Sequence, residues 1–354
     1  MKGEVPGSRT SHYDFTLPAD RIAQHPAAQR DASRLMVVER SSGRIRHVVF
    51  RDIVELIAPG DALVLNTARV FRARLLGRRR SGAPAEILLL RRIDEERFEA
   101  MVSPGGKVRP GRVVHVAAGF DVEILTITDR RTRVVRPIVD GSITAPAEVD
   151  AAIERHGHVP LPPYIARDDT PDDATRYQTV YAREHGSVAA PTAGLHFTPA
   201  LLAALASRGV RRVDVVLHVG AGTFKPVEVE DPARHEMHEE SYRVSGQAAA
   251  ALNEVRAAGG KIWAVGTTAA RTLESAVAED GGFAERAEET RLFIRPPYRF
   301  RAVDKMLTNF HLPRSTLIML VAAFAGYELT LRAYREAVES GYRFYSYGDA
   351  MAIL

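Results

Sequence analysis

The chain contains no cysteine. That excludes disulfide frameworks, thiolate-held zinc, iron–sulfur clusters and a cysteine nucleophile, but leaves the redox compartment open. Long apolar runs are missing as well. The longest, Leu317 to Ala325, has nine residues, against roughly 20 for a membrane span. The opening residues are polar with no apolar core, so no signal peptide is expected. The expectation is a cytoplasmic protein with no membrane partner. Three common motifs are also absent. There is no Gly-x-x-x-x-Gly-Lys-Ser/Thr phosphate loop and no Gly-x-Ser-x-Gly nucleophile elbow. Gly220-Ala-Gly222 starts like a dinucleotide loop, but the third glycine is missing and Pro226 blocks the helix that should follow.

What is present is ordinary in amount and uneven in placement. A length of 354 residues suggests two or three domains at about 150 residues each. With 45% hydrophobic and 26% charged residues, wholesale disorder is excluded. The net charge is only +4, yet Arg69 to Arg136 holds 16 Lys/Arg against 8 Asp/Glu, leaving 32 against 36 for the remainder. A basic module sits inside a mildly acidic body. A solvated surface is one explanation, and a surface that tracks nucleic-acid phosphates is the other. Arg78, Arg79 and Arg80, with Lys107, Arg109 and Arg112, favour the second, because both clusters lie at Gly/Pro turn positions where side chains are exposed.

Periodicity divides the chain in the same way. Ile87–Leu90, Phe98–Val102, Val113–Val116, Val122–Ile127 and Val134–Val135 are short β-rich segments separated by turns, as in a small barrel. The flanks alternate strand and helix. A hairpin is expected over Arg34–Val49, strands at Ala62–Leu65, Val213–Val219 and Lys261–Val265, and helices at Asp52–Ile57, Ala147–His156, Asp172–Ala182, Pro199–Ser207, Gly246–Ala258, Ala269–Val277, Ser315–Phe324 and Leu329–Val338. The fold class expected is α/β: a three-layer α/β/α sandwich with a mostly parallel sheet and an inserted all-β barrel. The sandwich would comprise 1–68 and 138–354, and the basic barrel 69–137.

Four segments combine small residues with polar side chains. Ala189 to Thr198 contains Thr192, Gly194 and His196 ahead of a Thr198-Pro199 helix start. His218 to Pro226 contains Gly220, Gly222 and Thr223 after a buried strand. Gly266-Thr267-Thr268 joins a strand to a helix and offers free N–H groups and a positive dipole end to an anion. Leu307 to Thr316 sets Asn309, His311 and Arg314 beside Phe310, a group able to read and stack on a base. Tight turns and capped helix entries are the plainer explanation for each segment alone. His235 and His238 resemble a zinc pair, one residue short of the usual metalloprotease spacing.

Taken together these strings resemble one family. They are His25-Pro26 through Leu35, Pro191 to Phe197, His218 to Pro226, Met237 to Glu240, Val265 to Thr268 with Arg271 to Glu274, Thr308 to Thr316, and Ser346 to Met351. In this order and spacing they are similar to the S-adenosylmethionine:tRNA ribosyltransferase-isomerases of queuosine biosynthesis. The chain departs from that pattern at Thr67-Ala68 and at Arg72, which stands where a proline is expected. The resemblance implies transfer and isomerisation of the ribosyl group of S-adenosylmethionine onto 7-aminomethyl-7-deazaguanine at a tRNA wobble position, releasing adenine and methionine. It implies S-adenosylmethionine as co-substrate, no metal, the tRNA anticodon stem-loop as partner, and no obligate protein partner. A proton must leave the ribose carbon beside the sulfonium, and His196 or His311, with His238 and Glu239 behind them, is the expected base. Thr192, Gly194, Gly220, Gly222, Thr223, Gly266, Thr267 and Thr268 would hold the co-substrate. Asn309, Phe310 and Arg314 would meet the base, and the barrel arginines the phosphates. A non-catalytic RNA-binding protein and a zinc hydrolase using His235 and His238 are the alternatives.

Overall fold

The computed structural model describes residues 5–220 and 227–354. The chain opens with a hairpin, β1 (Arg34–Val38) and β2 (Ile45–Val49), then a short helix α1 (Ile53–Leu56), β3 (Ala62–Asn66) and β4 (Ala68–Val70). Six strands follow: β5 (Arg74–Arg79), β6 (Pro84–Arg92), β7 (Phe98–Ser103), β8 (Val113–Ala117), β9 (Phe120–Ile127) and β10 (Arg133–Val139). Next come α2 (Pro146–His156), α3 (Asp173–Arg176), β11 (Glu184–Ser187), α4 (Pro199–Ser207), β12 (Arg211–Leu217) and β13 (Glu240–Val244). The remainder is α5 (Gly246–Ala257), β14 (Ile262–Val265), α6 (Gly266–Ala276), β15 (Arg286–Thr290), β16 (Lys305–Asn309), α7 (Thr316–Ala325), α8 (Tyr327–Glu339) and β17 (Ala350–Ile353).

Nine strands form one sheet in the order β15-β13-β12-β3-β14-β16-β17-β1-β2. Its middle, β12-β3-β14-β16, is parallel. The outer pairings are antiparallel except β1 with β17. The sheet is therefore mixed, not mostly parallel, because β13, β15 and β17 return against their neighbours. The three layers follow from side-chain alternation, which sends successive residues to opposite faces. In β3, Ala62 and Val64 join a core beneath α5 to α8, while Leu63 and Leu65 join a second core beneath α1 and α4. In β1, Met36 and Val38 face the first core, and Leu35 and Val37 the second. Strands buried on both faces need near-continuous apolar sequence, which β3, β14 and β17 supply.

The inserted strands close into a barrel, β10-β7-β6-β5-β8-β9. Leu75, Ile87, Leu89, Phe120, Val122 and Ile124 fill it, and Val149, Ala152 and Ile153 of α2 join the same core. Gly77 is required at the closure, since a Cβ there would lie 2.6 Å from the His115 carbonyl. Strand β5 had no counterpart in the sequence expectation. Arg78 and Arg79 thus lie on a strand, not a turn, whereas Lys107, Arg109 and Arg112 are exposed in the β7–β8 connection. β4 stands outside the barrel and pairs in parallel with β11. Arg72, the departure from the family pattern, sits at the barrel entrance with its Nε 3.3 Å from Glu154 of α2.

The helix expected over Asp172–Ala182 is a single turn, α3. Gln178 leaves the helix to clamp β4, accepting from the Val70 N–H at 3.1 Å and donating to the Val70 carbonyl at 3.0 Å. The nine-residue apolar run is α7, buried against the first core. No single helix among the described residues is long and apolar enough to cross a membrane.

Candidate active site

Parallel strands leave loops at their carboxyl ends, where α/β proteins bind ligands. Here β12, β14 and β16 end together beside a cleft of about 670 Å³. Val219 follows β12; Gly266, Thr267 and Thr268 follow β14; Asn309 and His311 lie at the end of β16. Thr192 and the Ala189–Ala193 segment form another wall, and Tyr164 and Tyr345 the fourth. The two tyrosine rings stack at 4.4 Å with 26° between their planes. Burial raises both phenols above their ordinary range, so they stay protonated.

Helices α4, α5 and α7 begin with side-chain caps from Thr198, Ser245 and Ser315. Helix α6 does not: it follows Val265 with no side-chain cap, and Gly266 has φ +88°. Its first N–H groups and dipole end are left for the cleft. Three buried atoms of cleft-lining residues have no hydrogen-bond partner: Thr268 Oγ1, Asn309 Oδ1 and Tyr345 OH. Buried polar atoms are normally satisfied, so three along one cleft mark a place built for a polar ligand.

The expected residues divide accordingly. Thr192, Gly266, Thr267, Thr268, Asn309 and His311 line one cleft. Phe310 does not. Neighbours on an extended segment point oppositely, and Phe310 is fully buried against Tyr334, Tyr342 and Phe344. Gly194 is also a packing residue, because a Cβ there would lie 2.0 Å from the Tyr181 hydroxyl. Gly220 is not among the cleft's lining residues and donates its N–H to Glu240 Oε1 at 3.2 Å. Arg314, at φ +57°, bonds through its backbone to Tyr13 and Val227. Gly222 and Thr223 lie outside the described residues.

The histidines separate in the same way. His311 lines the cleft, with Nε2 2.7 Å from Thr308 Oγ1, and desolvation lowers it to about 3. His196 lies behind the wall, stacked on Phe50 at 4.9 Å and bonded to Ser33 and Asn309. Desolvation lowers it to about 4. Both ring nitrogens are engaged. His238 lines an adjoining hollow with Glu240 and Arg271, which shares Leu317 with the main cleft. Arg271 and Glu240 form a buried ion pair there. Glu239 faces away and pairs with Arg291 and, at 3.2 Å, with Arg130 from the β9–β10 turn. Among the described residues no group of three or more metal-ligating side chains is placed to hold an ion, so His235 and His238 gain no third ligand.

Two wall residues went unread in the sequence. Tyr164 lies in a Pro-rich stretch with no motif, and Tyr345 in an aromatic tail that reads equally well as core.

Comparison with known proteins bears on what the cleft holds. The family model described as queuosine biosynthesis protein matches residues 10–353. The S-adenosylmethionine:tRNA ribosyltransferase-isomerase of Symbiobacterium thermophilum is 53% identical over 348 residues, 98% of this chain and 100% of its own. The protein of the same name from Heliobacterium modesticaldum is 49% identical, covering 97% and 98%. Among solved structures, S-adenosylmethionine tRNA ribosyltransferase from Thermotoga maritima aligns with a TM-score of 0.55 at 40% identity, over 97% of this chain and 99% of that one.

Proposed function

The chain belongs to the queuosine biosynthesis protein family, and from that premise we propose that its cleft carries out ribosyl transfer and isomerisation from S-adenosylmethionine to tRNA. The acceptor is 7-aminomethyl-7-deazaguanine at the wobble position, and adenine and methionine leave. The protein works in the cytoplasm, where hypomodified tRNA is available.

One observation carries this reading. The family-like strings around Thr192, Thr267 and Asn309, far apart in sequence, converge on one cleft along which three buried polar atoms lack partners. The residues suit a sulfonium nucleoside. The open α6 N-terminus offers N–H groups to its carboxylate. Thr192, Thr267 and Thr268 offer hydroxyls to a ribose, and the Tyr164–Tyr345 wall offers apolar faces to a flat base. The sulfonium makes the adjoining ribose C–H acidic, so a neutral acceptor on the wall suffices to begin the reaction. His311 is an imidazole on the cleft wall; at neutral pH it is uncharged and presents a lone pair for that proton, while the desolvation that keeps it neutral also weakens it as a base. The exposed cations Arg78, Arg80, Lys107, Arg109 and Arg112 of the barrel serve the tRNA phosphates.

The test is incubation with adenine-labelled S-adenosylmethionine and tRNA carrying the aminomethyl base. Release of labelled adenine together with ribosylated tRNA is the expected result. Tight tRNA binding without adenine release would replace this reading with that of a non-catalytic RNA-binding protein.

A further inference from the structure

We propose that Asn309 reads an N–H donor of the ligand through Oδ1, and that His196 is the positioning residue that keeps the amide turned that way. The inference rests on the reading above, in which the cleft takes a sulfonium nucleoside and an aminomethyl base. Backbone carbonyls fix which end of the amide is which. Asn309 Nδ2 lies 3.2 Å from the Tyr345 carbonyl and 3.4 Å from the Asp349 carbonyl. Carbonyl oxygens only accept, so the amide group facing them is NH2 and not oxygen.

The same nitrogen lies 3.1 Å from His196 Nε2. Two donors do not bond to each other, so Nε2 carries no proton and accepts. The imidazole is neutral, and its proton is therefore on Nδ1, 2.7 Å from Ser33 Oγ. Ser33 accepts it and donates onward to the Arg30 carbonyl at 3.3 Å. The two amide protons go to Nε2 and the Tyr345 carbonyl, and the Asp349 carbonyl at 3.4 Å is a longer, shared contact. The chain is buried, with Asn309 2%, His196 4% and Ser33 2% exposed, so water does not compete with it. Phe50 against the imidazole face fixes the ring plane.

The amide oxygen is then the one atom of this side chain left over. Asn309 lines the cleft, and its Oδ1 is buried with no partner. As an acceptor it distinguishes an amine, ammonium or exocyclic amino group from a carbonyl or carboxylate at the same place, because the latter leaves two acceptors facing each other. Both substrates carry such donors: the amino groups of S-adenosylmethionine, and the aminomethyl group of the tRNA base.

The experiment is calorimetric binding to the full chain, with S-adenosylmethionine alone in one arm and tRNA in the other, the tRNA bearing either the aminomethyl base or guanine. The variants are Asn309→Leu, His196→Phe, His196→Gln and the double variant His196→Phe with Asn309→Leu, each checked for an unchanged thermal transition. Asn309→Leu should weaken binding about tenfold or more in the arm whose ligand supplies the N–H. Loss confined to S-adenosylmethionine names that source. Loss confined to aminomethyl-tRNA, sparing guanine-tRNA, names the other. His196→Phe keeps the ring but removes the acceptor, and should weaken the same arm severalfold. In the Asn309→Leu background it should cost nothing further. His196→Gln, whose amide oxygen accepts in place of Nε2, should restore most of the affinity. A wild type that binds both ligands alongside an Asn309→Leu variant binding them equally well overturns the inference and leaves the proposed function standing. So does a His196→Phe penalty of the same size in both backgrounds. A wild type that binds neither ligand overturns the functional reading and the inference with it.

Discussion

At the residue scale, the two site histidines are defined by burial more than by partners. Desolvation lowers His196 from 6.5 to about 4 and His311 to about 3. Below pH 6.5 the unfolded chain binds protons at these positions and the folded chain does not, so stability is full above pH 6.5 and is lost as the pH falls toward 4 and then 3. Between pH 7 and pH 5 the linkage is roughly 2 kcal/mol for each ring. Urea unfolding at the two pH values should show a decline of that size, reduced by half in His196→Phe. A stability unchanged between pH 7 and 5 would contradict the buried neutral state. Catalysis gives a second check at the same residue. If His311 takes the proton, its basic form is present throughout pH 5–8, and kcat should show no acid limb there. A limb near pH 6.5 would point to an unperturbed imidazole instead. Asp173 shows the opposite balance. Burial alone would raise its carboxyl, but Arg167, Tyr347 and Thr170 outweigh that and hold it well below the usual range. Arg167 binds it at 2.7 and 2.8 Å and Tyr347 at 2.7 Å.

At the element scale, the decisive contrast is between capped and uncapped helix starts. Gly266 at φ +88° lets β14 pass straight into α6 without a side-chain cap. A Cβ at that position meets nothing closer than 3.6 Å, so the cost of Gly266→Ala is conformational, about 1–2 kcal/mol. The variant should lower the thermal transition by a few degrees. It should also weaken S-adenosylmethionine binding more than Glu148→Ala, an exposed control on α2 beside the barrel, and equal binding by the two would detach the helix start from the ligand. Much at this scale was legible in the sequence. Thr198-Pro199 announced its helix through cap chemistry, and the Gly-Thr-Thr entry offered the open helix start that lines the cleft. What was not legible depended on distant partners. The polar strand β5 is recognisable only once β6 and β8 flank it. The helix after Asp172 yields because Gln178 is drawn to β4. Phe310, placed at the base, is turned inward by the alternation that brings Asn309 and His311 to the cleft. His196, a candidate base from its motif, lies behind the wall with Ser33 and Asn309 on its two nitrogens.

At the scale of the whole molecule, the barrel and sandwich are joined by more than the covalent connections. Val188, just after β11, packs into the barrel core, and Arg130 reaches across from a barrel turn to Glu239. A 1490 Å³ groove runs between barrel residues Arg74, Leu88 and Met101 and the segment Pro160–Asp168, whose Tyr164 forms a wall of the main cleft. The barrel thereby meets the sandwich beside the segment that walls the cleft. Reversing Arg78 and Arg80 to Glu should weaken tRNA binding uniformly across sequences. It should also lower the dependence of log affinity on log salt by about two phosphate contacts, while leaving S-adenosylmethionine affinity unaltered. An undiminished salt slope would place the RNA elsewhere.

The sheet order has a further consequence for biosynthesis. β17 lies between β16 and β1, and it is what joins the β1–β2 hairpin to the rest of the sheet. Nearly the whole polypeptide is translated between β1 and the neighbour that completes it. While the nascent chain elongates, the apolar edge of Leu35–Val38 has no native strand to meet and is open to mispairing with other chains. The sandwich can close only once translation has delivered Ala350–Ile353, whereas the barrel, whose strands are contiguous, is free to form much earlier on the ribosome.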